Sequence, residues 1–483
     1  MPKLKNVSVK EIGRIREIKG SIVKIEGLAN CMVGQIVHLN GNIKGFLIGF
    51  NEKDVLVLLL ENAEGIKAGD MVSSETKPFM IPVGDNFLGR IISPLCEVLD
   101  GKGRIKEDAF SPVFRDAPGV LDRVPVEEML MTGIRVIDAN FPVGKGQRQL
   151  VIGDRMTGKT SIAVDTILSQ KGKHVICIYC CVGRDYASFE KAVTIFKKNK
   201  ALDYTIVMSG LAASSIGEQY LAPYAAATLG EYFMYSGRDV FIVFDDLTKH
   251  AWAYRELSLL LERPPGREAY PGDIFYLHAQ LMERAAKLSP EMGGGSMTFF
   301  PIADTLEGDI AGFVPTNLIS MTDGQIYLNA ALFGEGFKPA VDLGLSVSRI
   351  GNRVQSKILR EFTQDLSLKY IQYRELLKAT KLRAGISEDL NKRLRHGEKI
   401  ERIFIQENSR SSPAAEQLIL YYALREGALD VISDEKCEDF KMNILSFAQK
   451  NFPSLVSKLD KQKQLTDEDK SQIKKCIVMF FKE

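Results

Sequence analysis

A glycine-framed loop, Gly153-Asp154-Arg155-Met156-Thr157-Gly158-Lys159-Thr160, carries the strongest chemical signal in the chain. Its spacing is G-x-x-x-x-G-K-T. It follows a short apolar run, Leu150-Val151-Ile152, and opens into a segment whose apolar residues Ile162, Ala163, Ile167 and Leu168 recur at helical spacing. Strand, loop and helix in that order form the context in which this spacing cradles nucleotide phosphates. The glycines let backbone N–H groups face inward, so the loop and the helix N-terminus make an anion nest. Lys159 is placed to reach the β- and γ-phosphates, and the Thr160 hydroxyl to ligate Mg²⁺. A plain glycine turn before a helix is the bland alternative, and the flanking pattern disfavours it. The loop implies nucleotide binding; by itself it does not imply hydrolysis.

Two further stretches carry chemistry. Val240-Phe241-Ile242-Val243-Phe244-Asp245-Asp246 reads as an apolar strand ending in two acids. A carboxylate at that strand end is where a phosphate-loop protein holds Mg²⁺ through water. Asp245 is the expected ligand; Asp246 has the alternative of capping the next helix. Further on, Leu343-Gly344-Leu345-Ser346-Val347-Ser348-Arg349 ends in an arginine. Arg349 reads either as a surface charge or as an arginine finger reaching a phosphoryl group across a subunit interface. Between these lies Arg263 to Asp273, too rich in Pro and Gly for a helix. It is either a surface connection or an ordered loop with a task.

The elements that must position these residues fall into three parts. Residues 1–75 show short strands with hairpin signals at Asn40-Gly41 and at Asn51-Glu52-Lys53-Asp54, which predicts a small closed β-barrel. Residues 76–355 alternate apolar runs with helical patterns, the sign of a parallel α/β sheet. The expected strands are Leu150 to Ile152, Val175 to Tyr179, Thr205 to Met208 and Val240 to Phe244. Ligands bind at the carboxyl ends of such strands, where the loop and Asp245 both sit. Residues 356–483 carry apolar residues at helical spacing among Lys, Glu, Leu and Gln, and predict a helical domain. Ser412-Pro413 reads as an N-cap and first-turn pair, and Thr466 to Asp469 as a capping box.

Bulk composition excludes several classes. With 483 residues the chain has room for about two to four domains. Lys and Arg number 63 against 61 Asp and Glu, so no nucleic-acid or membrane field is implied. No apolar stretch is long enough to span a bilayer, and the N-terminus lacks a secretory h-region. The 7 cysteines have no disulfide-framework spacing. Cys177, Cys180 and Cys181 read as core residues of a strand rather than a metal or redox site.

Over nearly its whole length the chain resembles the α subunit of the F-type rotary ATP synthase. The stretches PVGKGQRQLVIGDRMTGKT, QYLAPYAAATLGEYF, FDDLTKHAWAYRELSLLLERPPGREAYPGDIFYLH, VPTNLISMTDGQIYL and LGLSVSRIG carry the likeness. GREAYPGD resembles α rather than the catalytic β subunit. The resemblance implies a RecA-like nucleotide-binding core between an N-terminal barrel and a helical C-terminal domain. It implies three such chains alternating with three catalytic β-type subunits around a central γ-type shaft. Its own site would hold ATP or ADP with Mg²⁺ without turnover. Gly153 to Thr160 would bind phosphates, Thr160 and Asp245 would lie at Mg²⁺, and Arg349 would complete the neighbouring β site. Ser346 matches a serine that the family needs for activity, and Gln406 falls near its adenine contacts on a looser match. The location implied is peripheral, at the cytoplasmic face of an energy-transducing membrane and touching it only through other subunits, or cytoplasmic if the ring is uncoupled.

The departures matter as much. In the catalytic paralogue the acid that orients water follows a strand and a glycine; here that place reads Val182-Gly183-Arg184-Asp185. An arginine accepts no proton from water. Asp185 is one residue late, so its side chain is expected to point elsewhere. The family usually has Gln where this chain has Arg184, Gln where it has Met156, and Arg where it has Lys338. The barrel pattern begins near Gly13, without the preceding helix that docks the stator, which puts stator contact in doubt. Three other readings stay open: a catalytic hexameric ATPase subunit of β or flagellar-export type, an RNA translocase of the transcription-terminator type, and a purely structural ring subunit. An F1-like motor without a standard membrane sector is a variant of the main reading.

Overall fold

A computed structural model describes residues 10–41, 43–61, 65–380, 388–461 and 464–482. The stretch before Lys10, on which the stator expectation rests, lies outside them. The chain divides into two compact units: residues 1–124, 175–303 and 311–321 form the first, and 125–174, 304–310 and 322–483 the second. The span 76–355 contributes to both.

The first unit opens with a closed six-stranded antiparallel barrel. Its strands run in the order Lys10–Lys19, Ile22–Glu26, Val55–Leu59, Ile43–Phe50, Gln35–Leu39 and Met71–Pro78, and the last pairs back onto the first. Alternation decides which side chains go inside: Val23, Ile25, Val37, Leu39, Leu47, Val57 and Val72 fill the barrel. Asn40 and Gly41 both have positive φ in the turn between Gln35–Leu39 and Ile43–Phe50, as that turn signal requires. Closure brings the first two strands close together at Gly13, where a Cβ would lie 2.6 Å from the Glu26 carbonyl oxygen.

The same unit holds a parallel sheet in the order Ser296–Asp304, Asp239–Asp245, Val175–Val182, Thr205–Gly210 and Ile91–Ile92. Every residue of Val175–Val182 is buried, as expected of a parallel strand covered on both faces. Cys177, Cys180 and Cys181 are buried free thiols in that strand, and the other four cysteines are also free and buried. The long helix Ile216–Tyr235 packs across the central strands. It also abuts the barrel, where Gly217 meets the Leu59 carbonyl and the Ser215 hydroxyl donates to Leu60 O at 2.9 Å. Beneath it, Arg284 grips Glu231 with two 2.7 Å bonds, both side chains fully buried.

The second unit carries Leu150–Gly153, paired in parallel with Gly324–Leu328, whose outer edge takes the short antiparallel strand Val347–Ser348. Its helical part consists of Lys357–Thr363, Leu366–Thr380, Glu388–Phe404, Ala414–Arg425, Asp434–Asn451, Pro453–Lys461 and Asp467–Phe480. Ala414–Arg425 is buried all round from Ala415 to Leu424 and forms the centre of the bundle. Thr466 and Asp469 make the expected capping box. The Ser412-Pro413 reading is one residue out: Pro413 is the N-cap, and the Ser412 hydroxyl donates to Glu416 at 3.0 Å. Buried Glu416, itself paired with Arg135 at 3.3 Å, draws that hydroxyl away from the helix N–H groups.

Gly217 tests the junction of barrel and sheet. Gly217→Ala drives a Cβ into the Leu59 carbonyl, so it should destabilise the first unit by about 1–3 kcal/mol. Thermal melting followed by circular dichroism measures this, and an unchanged midpoint would refute the tight junction.

Candidate functional site

The phosphate loop of the second unit folds as its spacing predicts. Gly153 ends the strand against Leu328, where a Cβ would lie 2.5 Å from the carbonyl oxygen. Gly158 is the N-cap of helix Lys159–Ser169 at φ +101°, a conformation that favours glycine. Lys159 is buried, and its ammonium donates to Gly153 O at 2.8 Å and Asp154 O at 2.6 Å while pairing with Asp304 at 3.0 Å. Asp304 also faces Arg155, at 3.4 Å. Asp154 braces the loop by accepting from the Thr305 hydroxyl at 2.6 Å and from Gly308 N at 2.8 Å. The Thr157 hydroxyl closes the turn onto Asp154 O at 2.7 Å. Met156 is 89% exposed at positive φ, and Thr160 is half-buried in the first helical turn. All eight loop residues singled out from the sequence therefore lie in one turn that leads into helix Lys159–Ser169. Asp304 is an addition: sequence reading gave no sign of it, because the strand it ends was not foreseen.

The acid pair sits in the first unit. Asp246 takes its alternative role and caps helix Leu247–Leu260, accepting from Lys249 N at 2.7 Å. Asp245 is fully buried, and its Oδ2 accepts from the Tyr179 hydroxyl at 2.8 Å. Burial first, and the Asp245 charge next, hold that phenol well above its ordinary pKa. Arg184 spans the pair, with Nη1 3.5 Å from Asp245 Oδ1 and 3.8 Å from Asp246 Oδ2. Gly183 aims it there: its φ is +61°, and a Cβ would lie 2.6 Å from Lys249 Cβ. Asp185 points away, as its position predicts, and caps helix Tyr186–Lys198 by accepting from Ser188 N at 2.8 Å. Among the described residues no cluster of three or more His, Cys, Asp or Glu is assembled to hold a metal ion.

The remaining candidates belong to the second unit. Ser346 is buried, and its hydroxyl oxygen accepts from Tyr327 N at 2.9 Å, which ties its segment to the Gly324–Leu328 strand. Arg349 is exposed; its backbone N donates to Asp323 O at 2.8 Å, and its guanidinium has no ion pair among the described residues. Gln406 is buried with its amide fully engaged: Oε1 accepts from Arg135 N at 3.0 Å, and Nε2 donates to Gly133 O at 2.8 Å and to Arg410 O at 2.5 Å. A base contact from that side chain would have to exchange one of these bonds. Lys338 is exposed, with its ammonium 4.7 Å from the Phe333 ring centroid, and its carbonyl accepts from Gln406 N at 2.8 Å.

Comparison with known proteins matches three family models along the chain. These are the ATP synthase alpha/beta family β-barrel domain over residues 8–75, the nucleotide-binding domain over 133–348 and the C-terminal domain over 355–480. The chain belongs to the ATP synthase alpha/beta family. It is 44% identical to the ATP synthase subunit alpha of Petrotoga mobilis, over 98% of this chain and 94% of that one. The subunit alpha of Clostridium acetobutylicum is 45% identical over 96% and 92% of the two chains, and that of Clostridium botulinum 44% over 99% and 95%. These relatives place it among the α-type, nucleotide-binding subunits of the family. Among the described residues no helix is long and apolar enough to cross a membrane.

Helix Lys159–Ser169 also carries a titratable group. Burial raises the Asp165 carboxyl to about 7, partly offset by the 2.9 Å bond from Ser409 N. The folded chain then holds a proton at Asp165 that the unfolded chain releases above about pH 4. Stability should fall as pH rises from about 4 to about 7, and Asp165→Asn should flatten that part of the profile. Urea denaturation across this range is the measurement; identical profiles for the two proteins would exclude Asp165 as the source.

Proposed function

We propose that this chain is the non-catalytic, nucleotide-binding α-type subunit of an F-type or F1-like rotary ring, and that it donates Arg349 to the catalytic site of a neighbouring β-type subunit. The observation that carries the reading is the state of Arg349. Its backbone is fixed beside a strand, while its guanidinium is exposed and has no internal partner among the described residues. A cation held ready and left unpaired suits action on a phosphoryl group of another chain. Ser346 would act through position, since its bond to Tyr327 N fixes the segment that carries Arg349.

The chain's own site is read as binding without turnover. Lys159 and the N–H groups of Gly153 to Thr160 would hold the phosphates of ATP or ADP, with Lys159 exchanging its carbonyl contacts for phosphate oxygens. No carboxylate is offered to an attacking water at Arg184, and Asp185 is spent as a helix cap. Mg²⁺ bound with the nucleotide would neutralise phosphate charge. Thr160 is the ligand we assign to it; Asp245, faced by Arg184, is a poorer one. The partners are the β-type subunits alternating with this chain and a central γ-type shaft. Any membrane contact runs through other subunits, and the balanced charge offers nothing to nucleic acid.

An arginine finger is worth roughly 10³-fold or more in rate. Arg349→Ala should therefore nearly abolish ATP turnover by the assembled ring while native mass spectrometry still shows the intact complex. Turnover unchanged in an intact ring would remove Arg349 from the mechanism.

A further inference from the structure

Two parallel strands of the second unit end side by side, with Gly153 opposite Leu328. Beyond Gly153 the chain makes the glycine loop. Beyond Leu328 it makes the short helix Ala330–Gly334 and a turn that runs on to Lys338. Both leave the carboxyl edge of their strands, where ligands of α/β sheets bind. A nucleotide held by its phosphates on the loop therefore has this turn as a neighbouring wall within the unit. The turn carries an aromatic ring: Phe333 is half-buried, and the Lys338 ammonium lies 4.7 Å from its centroid. An aromatic face with a cation beside it suits a nucleobase, since every base has a face to stack.

Apart from the backbone bonds that close it, the turn is loosely framed. A Cβ at Gly334 or Gly336 would meet nothing within 4 Å, so packing does not check the freedom of the glycines on either side of Glu335. The fastening comes from the helices Leu366–Thr380 and Glu388–Phe404. Buried Phe337 stacks on Tyr370, with centroids 5.6 Å apart. Glu335 accepts from Arg374 Nη2 at 2.6 Å, and Nη1 of the same guanidinium donates to Glu401 Oε1 at 3.3 Å. Glu401 also accepts from the hydroxyls of Tyr370 at 3.3 Å and Tyr373 at 3.0 Å. A planar guanidinium fixed at one arm has little freedom at the other, so Arg374 passes the position of the two helices to the turn.

We propose that Arg374 is a positioning residue for the base side of the nucleotide site: through Glu335 it holds the Phe333–Lys338 turn in place for the base, and so sets how much the base adds to binding. The proposal rests on the nucleotide-binding reading above and gives a role to charged side chains outside the glycine loop.

Titration calorimetry of ATP and of inorganic tripolyphosphate into the full-length chain, both in excess MgCl₂, tests this for the wild type, Arg374→Gln, Glu335→Gln and the double variant. The wild type should bind ATP at least about 10-fold more tightly than tripolyphosphate, the margin that one stacked base supplies. Each single variant should cut that margin by roughly 3-fold, the scale of a partly exposed ion pair, while its tripolyphosphate affinity stays within about 2-fold of the wild type. The double variant should lose no more than the worse single, because the two residues act as one contact. The Glu335 side chain is 55% exposed, so Glu335→Gln tests the clamp even where Arg374→Gln does not fold. An unchanged ATP margin in Glu335→Gln, equal losses for both ligands, or losses that multiply in the double variant would each overturn the proposal. Equal wild-type affinity for the two ligands would overturn it too and leave phosphate binding standing. Folded wild type that binds neither ligand would instead overturn the nucleotide-binding reading itself, and this proposal with it.

Discussion

The parallel register of the first unit's central strands governs its chemistry. Cys181 lies beside Asp245, and Val182 beside Gly210, so three strands end at one level. Gly183 N then donates to Gly210 O at 2.7 Å, and Ala212 N to Arg184 O at 2.9 Å, which locks the turn that presents the arginine. A shift of one residue in any of these strands would turn the carboxylates, Tyr179 and Arg184 to wrong faces. In the observed register Val175–Val182 is buried along its whole length. The register sets which charges meet.

The phosphate loop obeys a different economy. Its backbone is shaped by glycine, and its side chains mostly hold one another. Lys159 rests on two loop carbonyls and Asp304, while Asp154 reaches forward to Thr305 and Gly308. The turn is therefore held in shape by its own side chains. Met156 is the exception: with 89% of its surface open, it lends the loop an apolar tip and no hydrogen bond.

Much of this was legible in the residues. Alternation and turn signals foretold the barrel, apolar runs the parallel strands, and glycine spacing the loop. The strand Ser296–Asp304 was not, since it follows three glycines and contains Pro301, both of which read as breaks. Asp304 went unseen with it. Arg184 drew notice for what it could not do. Its meeting with Asp245 depends on strand order and register, which no local pattern encodes. Ser412 was misplaced by one residue because the competing acceptor, Glu416, matters only once the bundle has buried it. The misses share a cause: each depends on a partner distant in sequence or buried by folding.

Gln406 has a mechanical meaning within the second unit. Its amide is riveted to Gly133, Arg135 and Arg410, while Ser409 grips Asp165 on the helix that leaves the phosphate loop. The segment between helices Glu388–Phe404 and Ala414–Arg425 is thus fastened at one point to the helix that leaves the loop and at two others to the stretch Gly133–Arg135. A displacement of that segment meets a strut here rather than a hinge, and strain in it is passed to the helix behind the glycine loop.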